Sequence, residues 1–279
     1  MDKYFQGWYY RCQSDEQALA VIASFHKTAR GDFCTVQIIT DTAAYHARFP
    51  YEDFRKQGHQ IHIGKNRFGK DGISLDIQTP QLRAVGSLSF GPPTPLGYDI
   101  MGPFRYIPFM QCRHSVYSLR HSVDGQLWLN GEAHVLRGGV GYSEGDRGRS
   151  FPNRYAWAQC SFPEGCLMLC VADIPLAKLC FTGILGIVLL GGKEYRLATY
   201  LGAKAVRIQN GEIIIRQGRF RLTATQLSAS GHPLQAPVDG AMTRTIHEHL
   251  SCRARFRFED GSIALLDLES SNAAFEYEY

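Results

Sequence analysis

The sequence predicts an all-β protein that uses one barrel- or sandwich-like unit twice. Three observations predict it: short alternating strand patterns recur along the chain, helical periodicity is scarce, and the second half echoes the first in order. With 279 residues, 44% hydrophobic and 20% charged, the chain is long enough for one large or two ordinary domains with full cores.

The strand signals come first. Runs such as QALAVIASFH, FCTVQIIT, GISLDIQT, CLMLCVAD, GEIIIRQG and RARFRFE alternate or are rich in β-branched residues, and Gly, Pro, Asp and Asn separate them. Asp124-Gly125, Asn210-Gly211 and Asp260-Gly261 read as hairpin turns. The most apolar stretch, Cys166 to Leu190, is broken by Asp173 and Pro175. Its uninterrupted end, FTGILGIVLL, is ten residues, too short to cross a bilayer as a helix, so two buried strands are expected.

The repeat is ordered. A shift of 148 places Tyr9 on Trp157, Cys12 on Cys160 and Phe33 on Phe181. At 152, IHIGKNRF falls on IIIRQGRF with four identities in eight; at 140, Cys112-Arg113 falls on Cys252-Arg253. The changes in offset are small enough to be absorbed in loops, and LRGGVGY marks a boundary. Two β-domains are expected, residues 1–139 and 140–279. Residues 88–111 have no counterpart of equal length. Five prolines rule out a ladder strand there, while Phe90, Tyr98, Ile100, Met101, Phe104 and Phe109 are too apolar for a solvated linker. An ordered loop over a pocket, or a plug, is expected.

Several function classes are excluded. A net charge of +4, with no run of five basic residues, is not the footprint of a nucleic-acid binder. MDKYFQGWYYRC lacks the apolar core of a secretory leader, so a cytoplasmic protein with eight reduced thiols is expected. No CxxC pair, P-loop, Rossmann fingerprint or nucleophile elbow is present. His247 and His249 share one strand face, but spacing supplies no third ligand, and His59 with His62 is weaker still; neither a metal nor a cofactor is expected.

The candidate site is GYSEGDRGRSFPNRYAWAQC, residues 141–160. As a strand, its end puts Tyr155, Trp157 and Gln159 on one face and Ala156, Ala158 and Cys160 on the other. The large face suits an apolar binding wall with one orienting amide. Glu144 and Asp146 share a parity with Tyr142. Arg147 and Arg149 stand ready to neutralise them or to clamp an anionic or phenolic group; a charged hairpin mouth, satisfied by its own ion pairs, fits the same residues. FQGWYYRC repeats the theme, with Tyr9 and Arg11 on one face. In KEYR, Arg196 is a further candidate to point inward.

The words FQGWYYR, GISLDI, IMGPFRYIPFMQCRHSV, GYSEGDRGRSFPNRYAWAQC and FTGILGIVLLGGKEYRLATY, in that order over nearly the whole chain, resemble the tocopherol cyclase-like family, which is related to carotenoid hydratases and other lipocalin-like proteins. The resemblance implies two calycin (lipocalin)-like antiparallel β-barrels. It also implies a hydrophobic ligand, a prenyl lipid or quinol, with peripheral membrane contact. Its chemistry is ring closure to a chromanol: a buried acid protonates a prenyl double bond and the phenol oxygen traps the tertiary cation. Carried over by position, Glu144 or Asp146 donates the proton, and Tyr155 and Trp157 face the cation. Gln159 holds the head group, and Tyr9, Tyr142, Arg149, Phe151 and Arg196 complete the binding surface. The chain departs from the family pattern at Arg147, where an aromatic is expected, and at Ser161, where an Asn is expected.

Three readings follow. An acid-catalysed cyclase or hydratase requires a buried carboxylate beside an apolar surface. A non-catalytic lipid- or isoprenoid-binding protein needs only the surface. A structural protein would use residues 88–111 as its interaction face.

Overall fold

The structure, a computed structural model, describes residues 3–108, 110–176, 179–228 and 231–279. Phe109, expected in the proline-rich loop, lies outside the described residues. The fold is all-β, with lipocalin-like domains. No helix among the described residues is long and apolar enough to cross a membrane.

Two compact units are present. Unit 1 contains Met1–Leu96, Cys112–Ser150 and Leu234–Arg244; unit 2 contains Gly97–Gln111, Phe151–Pro233 and Thr245–Tyr279. The strands of the first half are β1 (Tyr4–Gln13), β2 (Ala18–Lys27), β3 (Phe33–Thr40), β4 (Ala44–Pro50), β5 (Phe54–Gln57), β6 (Gln60–Ile63), β7 (Asn66–Gly69), β8 (Gly72–Gln78), β9 (Arg83–Phe90), β10 (Cys112–Leu129) and β11 (Glu132–Gly148). They form one sheet in the order β4-β3-β2-β1-β11-β10-β9-β8-β7-β6-β5. Positions 139 and 140 both lie inside β11, and the chain leaves unit 1 after Ser150.

The second half supplies β12 (Tyr155–Phe162), β13 (Gly165–Leu176), β14 (Leu179–Leu190), β15 (Lys193–Ala198), β16 (Lys204–Gln209), β17 (Glu212–Gln217), β18 (Phe220–Gln226), β19 (His232–Val238), β20 (Ala241–Asp260) and β21 (Ile263–Tyr277). Their order is β15-β14-β13-β12-β21-β20-β18-β17-β16, with β19 paired to β20. Both sheets therefore close their meander by pairing the first strand with the last, β1 with β11 and β12 with β21. The apolar Cys166–Leu190 segment is the β13–β14 hairpin.

Alternation decides what each strand buries. In β1, Trp8, Tyr10 and Cys12 enter the core of unit 1 with Val21, Ile38, Ile63, Leu75 and Leu127. In β12, Ala156, Ala158 and Cys160 enter the core of unit 2 with Leu169, Val188, Ile215 and Phe256. All eight cysteines are free thiols, and five are buried. Burial pushes the Cys12 and Cys34 thiols up to about 12, so they behave as small apolar groups.

Two local expectations are corrected. Asp124-Gly125 is not a hairpin: β10 runs through it with a shift in register, and the turn falls at Asn130-Gly131, whose φ angles are 51° and 93°. Gly125 is needed for close approach, since a Cβ there would stand 2.3 Å from the Ser87 carbonyl oxygen on β9. The loop expected from residue 88 begins at Gly91, because β9 continues to Phe90 and the prolines start only at Pro92.

Gly97–Gln111 belongs to unit 2, and its described residues are tied to that unit. Tyr200 Oη donates to the Ile100 carbonyl at 3.0 Å, and Phe104 meets the Tyr200 ring edge-on at 5.7 Å. The hairpin turn at Asp239-Gly240 belongs to unit 1. There Gln37 exchanges two 3.1 Å bonds with the Gln235 backbone, and His26 Nδ1 contacts the Gly240 carbonyl oxygen at 2.9 Å.

Candidate functional site

In unit 1 the face of the sheet opposite the core carries the chemistry. Tyr9 stands opposite Glu144, Gly7 opposite Asp146 and Arg11 opposite Tyr142. On the other side of β11, Val116 faces Glu144 and His114 faces Asp146. Tyr9, Arg11, His114, Tyr142 and Glu144 are all buried, and Asp146 is half-buried.

His114 joins the two carboxylates. Its Nδ1 lies 3.1 Å from Asp146 Oδ1, and its Nε2 lies 3.3 Å from Glu144 Oε2. Tyr142 Oη donates to the same Glu144 oxygen, and the Cys112 thiol donates to Asp146 Oδ1 at 3.6 Å. Burial by itself pulls the imidazole down. Glu144 and then Asp146 outweigh it by charge and hydrogen bonding, so the His114 pKa stands well above its ordinary value. The group is an imidazolium between two carboxylates. The three side chains also lie close enough to suggest a metal site. One ligand atom of each lies within 4.8 Å of the others, although the nearest contacts of the two carboxylates are to different ring nitrogens.

Arg147 does not neutralise Glu144 and Asp146. Alternation turns it to the other face of β11, in register with Gln6 and Arg113. Arg149 lies beyond β11 and pairs with Asp239 at 3.2 Å, two-thirds exposed. The neutralising cation is His114, which no local pattern revealed: it sits in QCRHSV, 32 residues from Asp146 in the chain. Only the β10–β11 register brings them together.

In unit 2 the large face of β12 is buried: Tyr155, Trp157 and Gln159 lie opposite the core-facing alanines. Tyr155 Oη donates to Glu276, which is the register partner of Trp157. Phe151 meets the Tyr155 ring edge-on at 6.0 Å, and Gln159 Nε2 donates to Ser161 Oγ at 3.1 Å. The second half thus repeats a buried tyrosine–glutamate bond, with Glu276 in the register position that Glu144 holds in the first. Glu248 lies opposite Glu276 and is fully buried. A carboxylate in step with Ile246 and Leu250 is the sequence signal that marks it. His247 and His249 take the alternate positions.

Arg196 anchors the loop at residues 97–111. Its guanidinium donates to Glu194, to Tyr200 Oη at 3.2 Å and to the carbonyls of Tyr98 and Asp99 at 2.9 and 3.1 Å, and it stacks 3.5 Å over the Tyr98 ring. All five N–H groups are engaged within unit 2.

No family model matches the chain, and no curated protein matches it. Solved structures do. A structure of CghA with Sch210972 superposes with a TM-score of 0.63 at 10% identity, covering 99% of this chain and 89% of that one. An AttH-type protein from Nitrosomonas europaea gives 0.56 at 11% identity, over 99% and 92%. Kievitone hydratase from Nectria haematococca gives 0.55 at 9% identity, over 98% and 88%. At these identities the likeness carries the fold.

Proposed function

We propose that this chain binds a hydrophobic, prenyl-bearing small molecule and performs acid–base chemistry at one of its double bonds. The finer reading is closure of a prenylated quinol to a chromanol. The observation that supports it is the buried relay Tyr142–Glu144–His114–Asp146. Two of the similar folds bear on the reading: one is a hydratase by name, and the other was solved with Sch210972.

The relay gives each residue a role. Asp146 fixes the ring through Nδ1, and Nε2 stands 3.3 Å from Glu144 Oε2, the ion-pair contact across which a proton would pass. Moving that proton onto Glu144 turns an ion pair into two neutral groups, a change that an apolar ligand favours by excluding water. Neutral Glu144 then protonates the less substituted alkene carbon. The tertiary cation forms against the Tyr9 ring. A phenol oxygen attacks it, closing the ring, and the phenolic proton returns through Glu144 to His114. If water attacks instead, the product is a hydrate. Unit 2, taken by itself, holds in Tyr155, Trp157 and Gln159 a buried aromatic and amide face of the kind that lines apolar sites. Arg149 and Arg196 have the protein partners given above and contribute through them.

This reading separates the two acids. Glu144→Gln removes the donor and is expected to lower turnover of a prenylated hydroquinone by roughly a hundred- to ten-thousand-fold. Asp146→Asn leaves a donor in place, costs less, and moves the pH profile by changing His114. Product is followed by chromatography and mass spectrometry. Equal rates in wild type and Glu144→Gln sink the mechanism.

A second reading keeps the fold without the reaction. The same imidazolium holds both carboxylates as a satisfied ionic cluster, which suits a non-catalytic isoprenoid-binding protein. Ligand retained in native mass spectrometry, with no turnover in wild type, selects it.

A further inference from the structure

The outer face of the unit 2 sheet carries an arrangement that folding alone does not explain. Lys204 pairs with Arg216, and Arg216 pairs with Arg221, across three neighbouring strands. The adjoining residues Ala205, Ile215 and Leu222 pack on the core, so alternation turns all three cations outward. Strands about 4.8 Å apart put the three charges within roughly 10 Å, and like charges directly opposite one another are destabilising.

The neighbouring rows are balanced and this one is not. Arg255 reaches both oxygens of Asp267 at 3.0 Å, and Arg253 pairs with Glu269. Arg221 has only Glu259 at 3.9 Å, and Arg257 holds that same carboxylate at 3.0 Å. Among the described residues neither Lys204 nor Arg216 has an acid within ion-pair distance. Arg221, Thr223, Thr225, Arg255 and Arg257 also line a cleft with one acid, Glu259, the register partner of Arg221, and the threonines place hydroxyl donors beside the cations.

We propose that this row docks the chain on an anionic lipid bilayer. An aliphatic side chain beside the row fits such a surface: Val206, the unpaired residue where the β16 register shifts, is 57% exposed. Leu201, just before β16, is exposed as well. Among the described residues the exposed large aromatics, Tyr98, Tyr106, Tyr117 and Trp128, lie on other elements, so the described part of this face offers no ring for stacking nucleic-acid bases. The inference does not depend on the reaction proposed above, since a chain with no chemistry would dock in the same way.

The test is sedimentation of the full chain with vesicles. Binding is expected to phosphatidylcholine mixed with phosphatidylglycerol, weakly or not at all to phosphatidylcholine alone, and to fall with salt. Arg216→Gln with Arg221→Gln should lower the affinity roughly thirty-fold, at about 1 kcal/mol for each cation near the surface. Arg83→Gln with Arg137→Gln in unit 1 should leave it unchanged. The sheet variant should melt no lower than wild type, because it relieves repulsion, so lost binding is not lost fold. Equal binding to both vesicles, undiminished binding by the sheet variant, or binding to duplex DNA without binding to vesicles overturns the proposal. A lower melting temperature for the variant does so too, by showing that folding already uses the row.

Discussion

His26 makes unit 1 sensitive to acid, and the size of the effect can be worked out. The ring is 1% exposed and stacks on Phe33 at 4.7 Å. Ser24 Oγ lies 2.8 Å from Nε2, Thr35 Oγ1 lies 3.5 Å from it, and the Gly240 carbonyl takes Nδ1. This pattern fits a neutral ring that donates through Nδ1 and accepts at Nε2. Burial drives the pKa down, the Gly240 bond partly opposes it, and Arg48 and His46 add to the fall, leaving it at about 4. The sign follows. Between pH 6.5 and 4 the unfolded chain binds a proton that the folded chain refuses, so stability falls as pH falls through that window. At about 1.4 kcal/mol per pH unit, the loss is roughly 3 kcal/mol, a large part of a typical domain's stability. His121 is also held at about 4 by burial and adds a similar slope.

His26→Gln keeps a donor and an acceptor in place but cannot take up a proton. Its urea midpoint should therefore depend less on pH, the slope of stability falling by about 1.4 kcal/mol per pH unit across that window. Hydrogen exchange of the β2 amides reads unit 1 separately from unit 2 and checks that the lost slope belongs to this unit. An unchanged slope in the variant, or a His26 imidazole that titrates by NMR near 6.5, refutes the reasoning.

Other substitutions probe the loop at residues 97–111. Gly102 has φ +51°, and a Cβ there would lie 2.5 Å from the Tyr200 ring, so Gly102→Ala should destabilise the loop's seat by about 1–3 kcal/mol. Faster tryptic cleavage at the exposed Arg105 would report it; unchanged cleavage would mean the ring moves aside freely. Arg196→Lys replaces a five-donor fork by three donors and should raise the same cleavage rate while melting lower by thermal denaturation. Wild-type cleavage would remove Arg196 from its anchoring role.

Much of the architecture was legible because strand alternation and repeated residues are local properties. The pattern of Trp8, Tyr10 and Cys12 against Tyr9 and Arg11 sorts β1 into two faces, and the Tyr155–Trp157–Gln159 parity sorts β12. The repeat was visible because a shift of 148 carries Tyr9 onto Trp157, and both occupy the position opposite a buried glutamate. Asp124-Gly125 misled because the same dipeptide serves a turn and a close strand approach, and only the neighbouring β9 decides between them.

The chain alone therefore determined that the protein is β throughout, which side chains share a face, and which of its acids are candidates for chemistry. Tertiary structure decided their electrostatic state. Whether Glu144 is neutralised by Arg147 or by His114 depends on the β10–β11 register, which joins residues some thirty positions apart. The same holds for the unbalanced row at Lys204, Arg216 and Arg221. Charge interactions act through space over a few ångströms, and no spacing along the chain reports a distance set by the pairing of two strands.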